Sequence, residues 1–242
     1  GYMIFDTHAH YDDKQFDQDR EELLVSMKDN GIGTIVDVGS NMETSAWIVD
    51  AVNRYPMMYG AVGVHPSDTA ELKESDIDTL KKYAAMDRIL AIGEIGLDYY
   101  WDKSFVDLQK EVYVKQILLA NKLNLPIVIH DREAHKDAYD LLLEYNQSSK
   151  ALFHCFSGSV EFMRECVKKG WYIALGGVVT FKNAVKMKDV AREIPLDKLV
   201  LETDSPYLTP VPFRGKPNTP AYVRYVAEEI ANLRQMPLNE LI

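Results

Sequence analysis

Imidazoles and carboxylates recur at one kind of place in this sequence, the C-terminal end of a short apolar run. His8 and His10 close Ile4-Phe-Asp-Thr-His-Ala-His, Glu94 closes Ala91-Ile-Gly-Glu, and His130 closes Ile127-Val-Ile-His. His154 closes Leu152-Phe-His, and Asp204 closes Val200-Leu-Glu-Thr-Asp. These side chains bind divalent metals, an imidazole nitrogen at ~2.0–2.1 Å and a carboxylate oxygen at ~2.0–2.2 Å from zinc. Side chains alternate faces along a strand, so His8 and His10 point the same way and can reach one ion. Four histidines and two carboxylates exceed what one tetrahedral ion takes. The set predicts two divalent ions, ~3.5–4 Å apart, with one carboxylate bridging them. Glu94 is assigned the bridge. His8, His10 and Asp204 are assigned to one ion, His130 and His154 to the other. A single histidine at a strand end is as well explained by packing; six such residues at the same end are not.

Such a pair of ions activates water for hydrolysis at neutral pH and neutralises charge on the oxygens of the reacting group. Asp204 and Glu94 are the catalytic carboxylates, Asp204 orienting the water and accepting its proton. The mixed donor set suits Zn²⁺, Mn²⁺ or Mg²⁺. Asp6 and Glu202 share the parity of His8 and Asp204 but lie deeper, either as hydrogen-bond partners of the ligands or within the side-chain layers of the barrel. Cys155 has the opposite parity to His154 and is expected under a helix. His135 reads as an exposed helical histidine. His65, in Gly63-Val-His-Pro, either contacts substrate or shapes the turn before Pro66.

The elements that must position these residues are legible as alternating patterns. Strand candidates are Met3–His10, Thr34–Gly39, Met58–His65, Ile89–Leu97, Pro126–His130, Ala151–Phe156, Tyr172–Gly176 and Leu199–Asp204. They are short and rich in Val, Ile and Leu, as buried parallel strands should be. Helical spacing lies between them: Ala138, Leu141, Leu142 and Tyr145, and near the end Tyr222, Val226, Ala227, Ile230 and Leu233. Gly31 and Gly170 stand where helices would end. Eight strand–helix units in 242 residues predict an α/β protein, a single (β/α)₈ TIM barrel over residues 1–242. Gly1 and Tyr2, ahead of Met3, read as a non-native remnant. A barrel gathers the C-terminal ends of its strands at one mouth, so ligands scattered through the chain converge there. No G-x-G-x-x-G turn follows the first strand, which weakens a dinucleotide-binding reading. The proline-rich stretch Pro206–Pro220 reads as a rigid loop at the mouth.

The net charge is −10, so the broad basic footprint of a protein that grips duplex nucleic acid is missing. An anionic substrate must be attracted locally, by bound ions and by a few placed cations. Arg132, Lys182 and, in the proline-rich loop, Arg214 or Lys216 are the phosphate-binding candidates. Tyr99, Tyr100 and Trp101 follow the fourth strand at its mouth end; they either stack unpaired bases or pack against the next helix. Two cysteines, Cys155 and Cys166, do not make a disulfide framework, and a reducing cytoplasm is the expected compartment. No secretory signal, membrane span or obligate protein partner is expected.

At these motifs the chain resembles the TatD family of metal-dependent deoxyribonucleases, within the amidohydrolase-like barrels. The matching stretches are Phe5-Asp-Thr-His-Ala-His, Gly63-Val-His-Pro, Gly93-Glu-Ile-Gly-Leu-Asp, Ile129-His, Phe153-His-Cys-Phe-Ser-Gly and Glu202-Thr-Asp-Ser-Pro. The resemblance implies a barrel with divalent metals held by His8, His10, Glu94, His130, His154 and Asp204. It also implies hydrolysis of DNA phosphodiesters, often from a strand end, on DNA ends or short single strands. Related hydrolase barrels bridge their metals with a carbamylated lysine; Glu94 at the strand-four position points away from that branch. Two other readings compete: an amidohydrolase or lactonase using the same ions on a small carbonyl substrate, and a non-catalytic metal-binding barrel.

Overall fold

The computed structural model of the chain describes residues 4–10, 13, 16, 20, 32–101, 103–147, 150–203, 210, 218 and 222–241. Strands and helices alternate along it: β1 Ile4–Ala9, β2 Ile32–Val38, α1 Met42–Arg54, β3 Met58–Val62, α2 Glu74–Ala84, β4 Ile89–Asp98, α3 Val106–Leu123 and β5 Ile127–Arg132. The order continues with α4 His135–Tyr145, β6 Ala151–His154, α5 Val160–Lys168, β7 Tyr172–Leu175, α6 Val185–Glu193, β8 Leu199–Leu201, α7 Val223–Leu233 and the short α8 Leu238–Leu241. Eight parallel strands in chain order give the expected (β/α)₈ topology. No helix among the described residues is long and apolar enough to cross a membrane.

Two compact units divide the chain: Gly1–Asp37 with Cys155–Ile242, and Val38–His154. The division follows no linker, since one cut falls inside β2 and the other at the end of β6.

In the unit made of the two chain ends, β1 pairs with β2, Asp6 opposite Ile35, and β7 pairs with β8, Ile173 opposite Leu199. Helix α7 buries Val223, Val226, Ala227, Ile230 and Ala231 along one stripe. Tyr222 and Leu233, expected on that stripe, are only half-buried at its two ends. Ser159 caps α5, its side chain accepting from the Phe162 amide, and Gly170 follows that helix with φ +84°, a left-handed conformation that glycine adopts without cost.

In the central unit β3, β4, β5 and β6 pair in order, all parallel. Their apolar residues make the core: Ile92, Ile95, Ile127, Ile129 and Phe153 have at most 1% of their surface exposed. The register sets Gly96 opposite His130 and His130 opposite His154. Gly96 has φ +149°, and a Cβ there would lie 1.8 Å from the His130 carbonyl oxygen. Only glycine lets β4 approach the backbone of His130 this closely.

Helix α3 contributes two buried glutamines one heptad apart. The Gln109 side chain accepts from the Asp98 amide at 2.9 Å and donates to the Asp98 carbonyl at 3.1 Å. Gln116 does the same to Val64, at 2.8 and 3.0 Å. Each carboxamide thus satisfies a backbone donor and acceptor just where a strand loses its neighbour. The expected third strand ran to His65 but pairing stops at Val62, because Gly63 donates to Ser45 Oγ and Val64 bonds to Gln116.

Candidate metal centre

The centre of the Val38–His154 unit is a buried carboxylate among imidazoles. Glu94 is 4% exposed. Its Oε1 lies 3.1 Å from His130 Nδ1, 3.2 Å from His154 Nε2 and 3.8 Å from His65 Nε2. The ligand atoms of His65, Glu94 and His130 all fall within 4.8 Å of one another. Strand register accounts for this convergence: His130 and His154 are directly opposite, and Glu94 sits two residues before Gly96 on the strand facing His130. The His65 and His130 rings are tilted against each other with centroids 4.3 Å apart.

On the far side of His130, Asp98 Oδ2 accepts at 2.9 Å from Nε2. Burial by itself would lower the His130 pKa; the carboxylates of Asp98 and Glu94 outweigh it and push the value up to about 9. Burial likewise pulls the Asp98 carboxyl upward, but the bonds from His130 and the Tyr100 amide hold it below the usual carboxylate range. The pattern is a carboxylate, an imidazole ring and a second carboxylate in a row. The buried Glu94 carboxylate with His130 Nδ1 and His154 Nε2 beside it is a donor set that fits a divalent ion, and a carboxylate across the ring from the ligating nitrogen is the usual support for such a histidine.

In the other unit, His8 is fully buried, His10 is half-buried, and their Nε2 atoms are 3.0 Å apart. The equal parity of the two residues brings both ring tips together. Glu202, also buried, accepts from the Cys155 backbone N–H at 2.6 Å. Cys155 itself has φ +45°, a strained conformation for a side chain with a Cβ, and it is half-buried rather than packed beneath a helix. Asn218 donates to the Thr203 carbonyl at 2.8 Å, tethering the chain immediately before Asp204. Asp204, Arg214, Lys216, Gly31, the Asp6 side chain and most of Pro206–Pro220 lie outside the described residues.

The substrate candidates divide. Of the two readings considered for His65, the structure shows the turn: its Nδ1 accepts from the Ser67 amide at 3.0 Å, capping the turn Pro66–Glu71, while Nε2 faces Glu94. Arg132 lies 3.7 Å over the Tyr100 ring and 5.2 Å from that of Trp101, so its guanidinium is held by aromatic faces. Tyr99 requires a correction: its hydroxyl donates to Asp137 of α4 at 2.8 Å, which commits it to helix packing. Tyr100 and Trp101, 52% and 75% exposed, carry the open aromatic surface instead. Lys182 is exposed beyond the turn Gly177–Thr180. His135 is likewise corrected: it is half-buried, and its Nδ1 bonds to Asp131 one turn earlier. A cleft of about 370 Å³ is lined by His65, Asp98, Trp101 and Phe105 among others.

Three residues that position this centre escaped the sequence reading: Asp98, Gln109 and Gln116. A signal existed for Asp98, which shares the parity of Glu94 in Gly93-Glu-Ile-Gly-Leu-Asp. For the glutamines it was weaker, two polar residues seven apart on the buried face of an amphipathic helix.

The family model described as TatD related DNase matches residues 5–242. A metal-dependent hydrolase of Bacillus subtilis strain 168, YabD, described as uncharacterised, is 47% identical over 240 residues, covering 99% of this chain and 94% of that protein. The 3'-5' ssDNA/RNA exonuclease TatD of Escherichia fergusonii is 31% identical over 237 residues, covering 96% and 91%. The crystal structure of YJJV, a TatD homologue from Escherichia coli K12, superposes with a TM-score of 0.93 at 30% identity, covering 98% of this chain and 93% of that one. This chain belongs to the TatD-related DNase family and is a metal-dependent hydrolase.

Proposed function

We propose that this hydrolase cleaves phosphodiester bonds of DNA from a strand end, with water as the acceptor. The observation that carries the reading is the buried Glu94 carboxylate facing the nitrogens of His65, His130 and His154. Two divalent ions, Zn²⁺, Mn²⁺ or Mg²⁺, would be held by His8, His10, Glu94, His130, His154 and Asp204. Ions bound there would supply a Lewis acid and lower the pKa of water.

The chain's own residues do the rest. Asp98 bonds His130 Nε2 and so fixes Nδ1 toward Glu94. The Ser67 amide occupies His65 Nδ1, which leaves His65 Nε2 as the nitrogen that can donate toward the centre. Asp204 orients the attacking water and takes its proton. Arg132, Lys182 and Arg214 bind substrate phosphates, Arg132 from a guanidinium already immobilised on Tyr100.

With a net charge of −10, a short single-stranded end suits the protein better than long duplex. The exonuclease activity named for the E. fergusonii relative supports the same substrate class. A chain with only two cysteines, Cys155 and Cys166, is in keeping with a cytoplasmic enzyme. The test is turnover of end-labelled single-stranded DNA with each metal, with Glu94→Ala and Asp204→Ala beside the native protein. Loss of turnover in both variants is expected. Undiminished turnover in both overturns the site, and hydrolysis confined to amide or lactone substrates overturns the phosphodiesterase reading.

A further inference from the structure

We infer that the cleft bounded by Trp101 and Phe105 is a base-stacking subsite that holds an unpaired nucleobase without reading which base it is. The inference rests on the nucleic-acid reading above and adds how the substrate end is recognised.

The same cleft is lined by His65 and Asp98, which contact Glu94 and His130 respectively, so its occupant lies beside the candidate metal centre. At about 370 Å³ it has the size of a small-ligand site. Its walls differ in kind. Trp101 and Phe105 are 75% and 49% exposed, far more than aromatic rings of a folded core. Aromatic faces left open beside a reaction centre are suited to planar π-systems such as an unpaired base. Arg132, 5.2 Å from the Trp101 ring, places a positive charge beside this wall, where a phosphodiester backbone can use it.

Base identity is read by hydrogen bonds to base edges, and here most polar side chains of the cleft already hold bonds within the protein. Gln109 uses both ends of its carboxamide on the Asp98 backbone. Thr69 Oγ1 donates to the Pro66 carbonyl, Ser67 Oγ lies 2.7 Å from His65 Nδ1, and Asp98 is bound to His130. The open rings grip a base by its flat face, which all bases share. A base stacked in a duplex cannot offer that face, so the subsite selects single-stranded or frayed ends.

The test is equilibrium binding to the metal-loaded protein, with Ca²⁺ in place of Zn²⁺, Mn²⁺ or Mg²⁺ so that the sites are filled while cleavage is suppressed. Fluorescence anisotropy compares an internally labelled short oligothymidylate with the same oligomer carrying abasic residues at both ends. The native protein is expected to bind the base-bearing oligomer about tenfold more tightly. Trp101→Ala combined with Phe105→Ala removes that preference, Trp101→Phe restores most of it, and purine and pyrimidine ends bind alike. Equal affinity of the native protein for both oligomers, or full preference retained in the double variant, overturns the subsite. A marked preference for one base overturns its indifference to sequence. Both side chains are exposed, so the variants should fold, which far-UV circular dichroism checks. Base-dependent binding without metal-dependent cleavage of the same oligomer would sink the nuclease reading and leave the subsite standing.

Discussion

His130 has a carboxylate at each ring nitrogen, Glu94 at Nδ1 and Asp98 at Nε2. The two acids play unequal parts. Glu94 is shared with His154 and faces His65, whereas Asp98 also accepts from the Tyr100 amide and, through its own backbone, is clasped by Gln109. Replacing Asp98 by Asn keeps the shape and removes the charge that orients the ring. Loss of such a supporting carboxylate costs about 10–100-fold in metal affinity. Titration of Asp98→Asn with Zn²⁺ or Mn²⁺ should show that loss with the fold intact; native affinity would mean that Asp98 has no supporting role. Tyr99 and Asp137 give a residue-scale prediction of another kind. The Tyr99 hydroxyl, followed by Lys110, holds the Asp137 carboxyl below its usual range. A carboxylate whose pKa is depressed on folding adds stability above its unfolded pKa and loses it as pH falls through the folded value. Tyr99→Phe should therefore cost about 1 kcal/mol at neutral pH, discounted for the partial exposure of Asp137. The gap between the two proteins should be full above roughly pH 4 and shrink below it, as read by urea unfolding across pH.

At the scale of elements, α3 organises the central unit. Gln109 and Gln116 reach from one helix face to the backbone at the ends of β4 and β3, next to Asp98 and His65. Gln116→Leu would leave the amide and carbonyl of Val64 buried without partners, at about 1–3 kcal/mol for each group left unsatisfied. Denaturant unfolding should show a loss of about 2–4 kcal/mol. An effect below half a kilocalorie would mean that the bonds are replaced by water. Strand β4 depends on Gly96 in the same way, since no other residue fits against the His130 carbonyl. The alternation of apolar strands and amphipathic helices was legible because periodicity reports burial directly. Its limits were less so: β3 ends early because side chains from α1 and α3 take over its last hydrogen bonds.

For the whole molecule, the surplus of acidic residues limits how nucleic acid is held. Only Arg132, Lys182 and Arg214 are proposed at phosphates. Each neutralised phosphate of a single strand contributes about −0.7 to the slope of log affinity against log salt. The slope should be no steeper than about −2, measured by anisotropy between low and physiological salt. A slope near −5 would reveal a basic surface outside these three residues and revise how the strand is held.

The sequence by itself determined the topology and the family and singled out the candidate donor residues, because strand alternation, helical spacing and short motifs are local properties of a chain. His8 and His10 could be paired from their spacing alone, and Glu94, His130 and His154 from their place at strand ends. Which atoms face each other was decided only by tertiary structure. The register that sets Gly96 opposite His130, the carboxylate of Asp98 behind that ring, the glutamines of α3 and the diversion of Tyr99 to Asp137 all join residues distant in the chain. Contacts of this kind follow from packing and from the need of every buried polar group for a partner, neither of which has a period that can be read along a sequence.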